Sequence, residues 1–262
     1  MAELINSITL LNTTYQNRSD ILDVDLVYTP WQNNDMSSAF VNCSNLTDVM
    51  HINNNITNMF QSFKFCTNLI NAPTIPNSVS DLSWAFSYCN SLVDAPIIPN
   101  SVSNMSGAFS FCVNLVNAPV IPENVNNIER IFKGCFSLVN APTIPNSVTN
   151  VDGMFDSCSN LTGEISIESE NVTSAIMCFW NTSLDKDVYI PFKNNGEYTQ
   201  TYNAFINAGY TTDPTNRVNG VLLIDVNYNP LADYEYTKNE SNDVLLTRYI
   251  GTELHVVVPT IE

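Results

Sequence analysis

Seven cysteines are the residues in this chain best suited to metal or redox chemistry, and the positions of six of them decide what they do. Cys43, Cys66, Cys89, Cys112, Cys135 and Cys158 follow one another at a constant interval of 23 residues. A zinc site needs clustered soft ligands, yet no Cys-x-x-Cys pair exists and only His51 and His255 could supplement the thiols. The expectation is that the thiols are small buried hydrophobes, with no metal and no cofactor. Other catalytic patterns are missing too: there is no Gly-x-Ser-x-Gly, no phosphate-binding glycine loop, and no histidine at a recognisable distance from a nucleophile. Paired carboxylates of the glycosidase kind cannot be seen meeting across a cleft in sequence alone. The many Asn-x-Ser/Thr triplets, such as Asn45-Leu46-Thr47 and Asn160-Leu161-Thr162, follow from asparagine-rich turns.

The constant interval makes this a repeat protein. Phe40, Phe63, Phe86, Phe109, Phe132 and Phe155 stand three residues before the cysteines, and Leu46, Leu69, Leu92, Leu115, Leu138 and Leu161 stand three after. Met36, Met59, Leu82, Met105, Ile128 and Val151 complete the phase, so six coils fill roughly residues 31 to 165. A degenerate seventh has Phe179 near the Phe position and Thr182 near the Cys position. Four coils also carry an Ala-Pro-x-Ile-Pro segment: 72–76, 95–99, 118–122 and 141–145.

The i, i+3, i+4, i+7 spacing of Val151, Met154, Phe155 and Cys158 predicts a two-turn helix, N-capped by Thr149 or Asn150. The proline-bounded segment reads as a short strand, and stacked coils would align these strands in a parallel sheet. The expected fold is therefore α/β, a solenoid of 23-residue strand-helix coils, since one coil cannot bury its apolar face alone. Two strand registers are open. One turns Leu138, Ala141 and Thr143 inward, the other Ala141 and Ile144, and they differ on whether Thr74, Ile97, Val120 and Thr143 are core or exposed.

The motif Met154-Phe155-Asp156-Ser157-Cys158-Ser159-Asn160-Leu161, repeated in phase, resembles the BspA-type leucine-rich repeats of bacterial surface proteins, and is similar to a related repeat family first noted in mycoplasmas. The resemblance covers about 150 of 262 residues. Here one extra residue and an added proline lie between the Cys and the Ile-Pro pair, as in Ala118-Pro119-Val120-Ile121-Pro122. The resemblance implies binding or adhesion through an extended surface, with no common catalytic residues.

Residues 1–30 are expected to form a non-repeating N-terminal cap or attachment segment, within which Leu22 to Tyr28 alternates in polarity as a strand does. The solenoid spans 31–184. A β-rich C-terminal cap follows over 185–230, with strands at 187–192 and 218–226 and a short helix at 198–208. Residues 231–262 begin a further β-rich module.

The formal charge is -17, from 26 acidic and 9 basic residues, while 44% of the chain is hydrophobic and only 13% charged. That composition is of a folded protein and excludes disorder by charge. It also excludes nucleic acid as a partner, for want of clustered Lys and Arg, and no apolar run reaches a membrane span, so membrane insertion is not expected. Between residues 36 and 184 there are ten acidic and three basic residues, so the negative charge is concentrated on the flanks.

One feature exceeds what the repeat needs. Trp84 and Tyr88 lie outside the apolar stripe, and Phe65 and Phe111 take the Tyr88 position in the adjoining coils, predicting an aromatic ladder across three coils. These four residues are the candidate binding site, for sugar rings or a protein partner. The expected function is non-enzymatic recognition or adhesion: a phage tail fibre or receptor-binding virion protein, made in the host cytoplasm, that contacts a bacterial surface receptor, glycan or protein. Other virion proteins and a homo-oligomer are the expected partners. A fragment of a secreted bacterial surface adhesin is the alternative, as is a structural virion protein without receptor binding.

Overall fold

The structure is a computed structural model. It describes residues 15–26, 31–162, 165–182, 186–194, 197–213, 215–218, 221–225, 234–238 and 244–249.

The apolar stripe is where the spacing puts it. Met/Leu/Ile/Val, Phe, Cys and Leu of all six coils are buried in one continuous core. The rings form a column from Tyr15 through Phe40, Phe63, Phe86, Phe109, Phe132, Phe155 and Phe179 to Phe205, with successive centroids 4.9 to 6.3 Å apart and planes nearly parallel. Each buried Phe contributes roughly 2–3 kcal/mol by area, and stacked pairs about 0.5–1.5 kcal/mol more.

The expected helices are not there. Each coil instead runs through two consecutive tight turns, as in Leu82 to Ala85 and Phe86 to Cys89, closed by the Ala85 and Cys89 N–H groups on the Leu82 and Phe86 carbonyls, 3.0 Å each. The third residue of each turn has positive φ, Trp84 at 58° and Tyr88 at 62°, which makes both type II. The physical reason lies between coils. Trp84, Phe86 and Tyr88 donate to Ser106, Ala108 and Ser110 carbonyls of the next coil at 2.8 to 2.9 Å, and Leu82 donates to Asn104 at 3.0 Å. Ser83 N–H bonds the Asp81 side chain at 2.8 Å and Ser87 N–H the Trp84 carbonyl at 3.2 Å. Every N–H from 82 to 89 is thus satisfied, half within the coil and half across it. Two-turn helices are marginal and need about 8–10 Å between axes, too wide for coils whose rings stack 5.5 to 6.1 Å apart.

The expected sheet is also reduced. Along the Ala-Pro-x-Ile-Pro segments, neighbouring coils meet only in single parallel bridges, Asp94 with Asn117, Asn117 with Asn140, and Ile144 with Ile167. Two prolines per segment remove the donors a ladder requires. The register with Ala141 and Ile144 inward is the one adopted: Ile75, Ile98, Ile121 and Ile144 are buried, whereas Thr74, Ile97, Val120 and Thr143 are exposed.

At the N-terminal end, residues 15–21 differ from the non-repeating reading. Tyr15 stacks on Phe40, Asn17 has φ of 62° and donates to the Val41 carbonyl, Arg18 N–H closes a turn on Tyr15, and Ile21 is buried. This is the second turn of a preceding coil. Strand β1 (Asp23–Leu26) then pairs in parallel with β2 (Asp48–Ile52), with Val24 and Leu26 buried. The seventh coil is offset by one residue, since Asn150 bridges Ser174, and Thr182 takes the Cys position and bonds the Phe179 carbonyl through its hydroxyl.

Beyond it, β3 (Ile165–Ser166), β4 (Lys186–Ile190) and β7 (Val221–Asp225) form a parallel three-stranded sheet. The short hairpin β5 (Lys193–Asn194) and β6 (Glu197–Tyr198) leads into α1 (Gln200–Asn207), N-capped by Thr199, whose Phe205 closes the ring column. β8 (Tyr234–Lys238) and β9 (Val244–Tyr249) form an antiparallel hairpin. Residues 250–262 of the further module expected over 231–262 lie outside the described residues.

Candidate functional site

All four aromatic candidates occupy the third position of a type II turn. Phe65, Trp84, Tyr88 and Phe111 have φ of 64°, 58°, 62° and 59°, values usually left to glycine. Holding a bulky residue there costs on the order of 1–3 kcal/mol. The arrangement repays part of it: Phe65 stacks on Tyr88 and Tyr88 on Phe111, both at 4.6 Å between centroids. The ladder ends at Gly134, whose Cα lies under the Phe111 ring so closely that a Cβ would sit 2.5 Å from Cδ1. Trp84 lies outside this stack and covers Gly107 in the same way, with 2.6 Å to an added Cβ. Lys64 places its ammonium 5.4 Å from the Phe65 ring centre and 5.3 Å from that of Trp84.

The structure therefore brings Phe65, Tyr88 and Phe111 into one stack with Trp84 beside it, joined through Lys64. Ring faces are spent on neighbouring rings, on glycine backbone and on a cation, leaving mainly edges for solvent. In the next coils the corresponding positions carry Arg130, which pairs with Glu129 at 2.7 Å, and Gly134, while Lys133 bridges to the buried Asp156 at 2.7 Å.

A different surface has its side chains free. Ile97 is 92% exposed and Val120 85%, the two most exposed large hydrophobic residues among those described. They stand one coil apart, between Thr74 and Thr143 at the same position of the flanking coils, each held between two prolines. The Ile97, Val120 and Thr143 N–H groups donate to no protein acceptor among the described residues. Between the coil carrying Val120 and the next lies an open groove of about 250 Å³, lined by Pro119, Val120, Glu123, Pro142, Thr143 and Pro145, among others. This ridge was open in the sequence because the register was open. A signal was present: the Ala, second Ile and both Pro positions of the segment do not vary from coil to coil, while this one reads Thr, Ile, Val, Thr.

The thiols are no site. Five of them, Cys66, Cys89, Cys112, Cys135 and Cys158, donate to the Phe carbonyl of the preceding coil, as Cys112 Sγ to Phe86 and Cys135 Sγ to Phe109, both at 3.1 Å, and Cys43 Sγ donates to the Tyr15 carbonyl. Burial pushes Cys66, Cys89, Cys135 and Cys178 well above the ordinary thiol value of 9.0, so the nucleophilic thiolate is suppressed. Among the described residues no group of three His, Cys, Asp or Glu stands together to hold a metal ion, and no helix is long and apolar enough to cross a membrane.

Stacked coils, a ring column and an extended outward ridge define a repeat protein of the leucine-rich class. The BspA type leucine rich repeat region matches residues 36–135 and 85–208, in six copies, and these cover more than half of the chain. The chain belongs to that family, whose repeats fit a protein of the interaction or adhesion type. Among solved structures it is similar to a leucine-rich repeat protein from Bacteroides ovatus, at 20% identity over 66% of this chain, with a TM-score of 0.55. The chain spans 44% of that protein's length, and at this identity the likeness is one of fold. The leucine rich repeat protein of T. pallidum is 22% identical over 72% of this chain and 78% of its own, with a TM-score of 0.44. No curated protein matches the sequence.

Proposed function

We propose that the chain is a non-enzymatic recognition protein that meets a bacterial surface receptor, glycan or protein, through the ridge Thr74, Ile97, Val120 and Thr143. The observation that carries this is the exposure of Ile97 and Val120, 92% and 85%, on backbone fixed by flanking prolines. A large aliphatic residue held rigidly in water gains on contact and loses little side-chain or backbone freedom in making it. Phe65, Trp84, Tyr88 and Phe111 enter the proposal as a secondary contact, offering ring edges and the Lys64 ammonium beside them.

The finer reading is a virion protein, such as a phage tail fibre component. Seven free, buried cysteines suit a chain that folds in a reducing cytoplasm before assembly. Its division into an N-terminal segment, a repeat body and a C-terminal β-rich part suits attachment at the ends and display in the middle.

The test is binding of fluorescently labelled protein to a panel of intact bacteria, compared with an Ile97→Asp, Val120→Asp variant. Wild-type binding to one or more strains that falls at least about tenfold in an equally folded variant supports the ridge, a change worth roughly 1.4 kcal/mol. Undiminished binding by the variant moves recognition elsewhere, and absence of binding by the wild type favours a purely structural role.

A further inference from the structure

Between residues 36 and 184 the three cations, Lys64, Arg130 and Lys133, all stand on the turn side, and each is engaged there. Lys64 lies over the Phe65 and Trp84 rings, Arg130 pairs with Glu129, and Lys133 pairs with Asp156. The proline side has no such counterweight. Segments 90–104, 113–127 and 136–150, which form it in three successive coils, contain Asp94 and Glu123 and no Lys, Arg or His. Asp94 accepts from the Asn117 amide at 3.2 Å. Glu123 is exposed, and its carboxylate has no hydrogen bond or ion pair among the described residues.

Glu123 lines the open groove of about 250 Å³ between the coils of Val120 and Thr143. Pro119, Pro142 and Pro145 give the groove apolar walls, and no aromatic ring lines it. The Val120 and Thr143 N–H groups beside it have no acceptor among the described residues. Since Glu123 follows directly on the 118–122 segment, the groove is apolar along the segment and acidic at the end where the chain leaves it.

This lining sorts the ligand chemistries. Anionic envelope polymers are repelled by Glu123, by Asp94 and by a chain charge of -17. A neutral sugar finds no ring face to stack on. A Lys or Arg side chain suits both parts of the groove, because its methylene stem packs on proline and Val120 while its charged head reaches the carboxylate. An extended peptide carrying that side chain also brings carbonyls for the free N–H groups.

From this complementarity we infer that the groove between Val120 and Thr143 receives a Lys or Arg side chain from an extended segment of a protein partner, with Glu123 holding the cation. The inference rests on the proposed recognition ridge and narrows its ligand from glycan or protein to a basic protein segment.

The test is an amide NMR titration of the isotope-labelled chain with three probes: acetyl-Val-Lys-Val-amide, acetyl-Val-Glu-Val-amide and methyl glucoside. Saturable shifts of the Val120, Glu123 and Thr143 signals should follow the lysine peptide alone, with binding about three- to fivefold weaker in Glu123→Gln. Val120→Asp separates the groove from mere charge attraction, since it adds a negative charge yet should bind more weakly. The inference is overturned by no saturable shift with the lysine peptide, by an equal response to the glutamate peptide or the glucoside, or by tighter binding in Val120→Asp. On intact bacteria, Glu123→Gln should bind more weakly than the wild type. If it binds equally while the Ile97→Asp, Val120→Asp variant does not, this inference falls and the ridge stands. Wild-type binding by both variants removes the ridge as well.

Discussion

The two long sides of each coil are built on opposite terms. On the turn side every N–H from Leu82 to Cys89 has a partner, and the Phe and Cys columns fill the space beneath. On the proline side the coils meet in single bridges, and Ile97 and Val120 stand in water. The difference teaches how a solenoid of 23-residue coils can be both stable and receptive. Cohesion is concentrated where backbone groups pair in register, which releases the other side from pairing and lets its residues vary without loss of the fold.

The largest expected effect strikes the turn side through pH. Folded-state thiol pKa values are raised by burial, so their contribution to stability is complete below the unfolded value of 9.0 and is lost as pH rises above it. Each buried thiol withdraws about 1.4 kcal/mol per pH unit in that range. Melting temperature should be level from pH 7 to 8.5 and fall steeply by pH 10.5, less steeply in a Cys89→Ala, Cys112→Ala variant. A level profile to pH 11 would show that the thiols are not sealed.

Next comes Phe109→Ala, which removes the middle of the ring column and should cost about 3–5 kcal/mol in denaturant unfolding. Gly134→Ala should cost about 1–3 kcal/mol, from its φ of 71° and the collision with Phe111. Gly209→Ala is the control, because its φ is also positive but no atom lies within 4 Å of the added Cβ, so its cost should be smaller. Trp84→Ala with Tyr88→Ala loses the stacking of Tyr88 on Phe65 and Phe111 and the cover of Gly107, while the positive φ stays strained because alanine keeps its Cβ, for a net cost of about 1–3 kcal/mol. The smallest change belongs to Ile97→Asp with Val120→Asp, within about 0.5 kcal/mol, since neither side chain is packed. A large destabilisation there would break the contrast between the two sides.

Much of the turn side was legible because the Phe, Cys and Leu columns recur in phase. Its backbone was not: a pair of type II turns and a two-turn helix bury the same i, i+3, i+4, i+7 positions, and only the neighbouring coil decides between them. Trp84 and Tyr88 were singled out by type, but nothing in their identity announces positive φ. The half coil at the N-terminus was readable and missed, for Tyr15-Gln16-Asn17-Arg18-Ser19-Asp20-Ile21 parallels Phe40-Val41-Asn42-Cys43-Ser44-Asn45-Leu46 with Arg in the Cys place. The ridge was hidden because a one-residue shift of register exchanges core and surface.

Residue-resolved amide hydrogen exchange tests the contrast most directly. The account predicts that Leu82 to Cys89 and Met105 to Cys112 exchange only through global unfolding, while Ile97, Val120 and Thr143 exchange rapidly in the native state. Equal protection of Ile97 and Phe86 would contradict it, by showing that the proline side is as fully paired as the turn side.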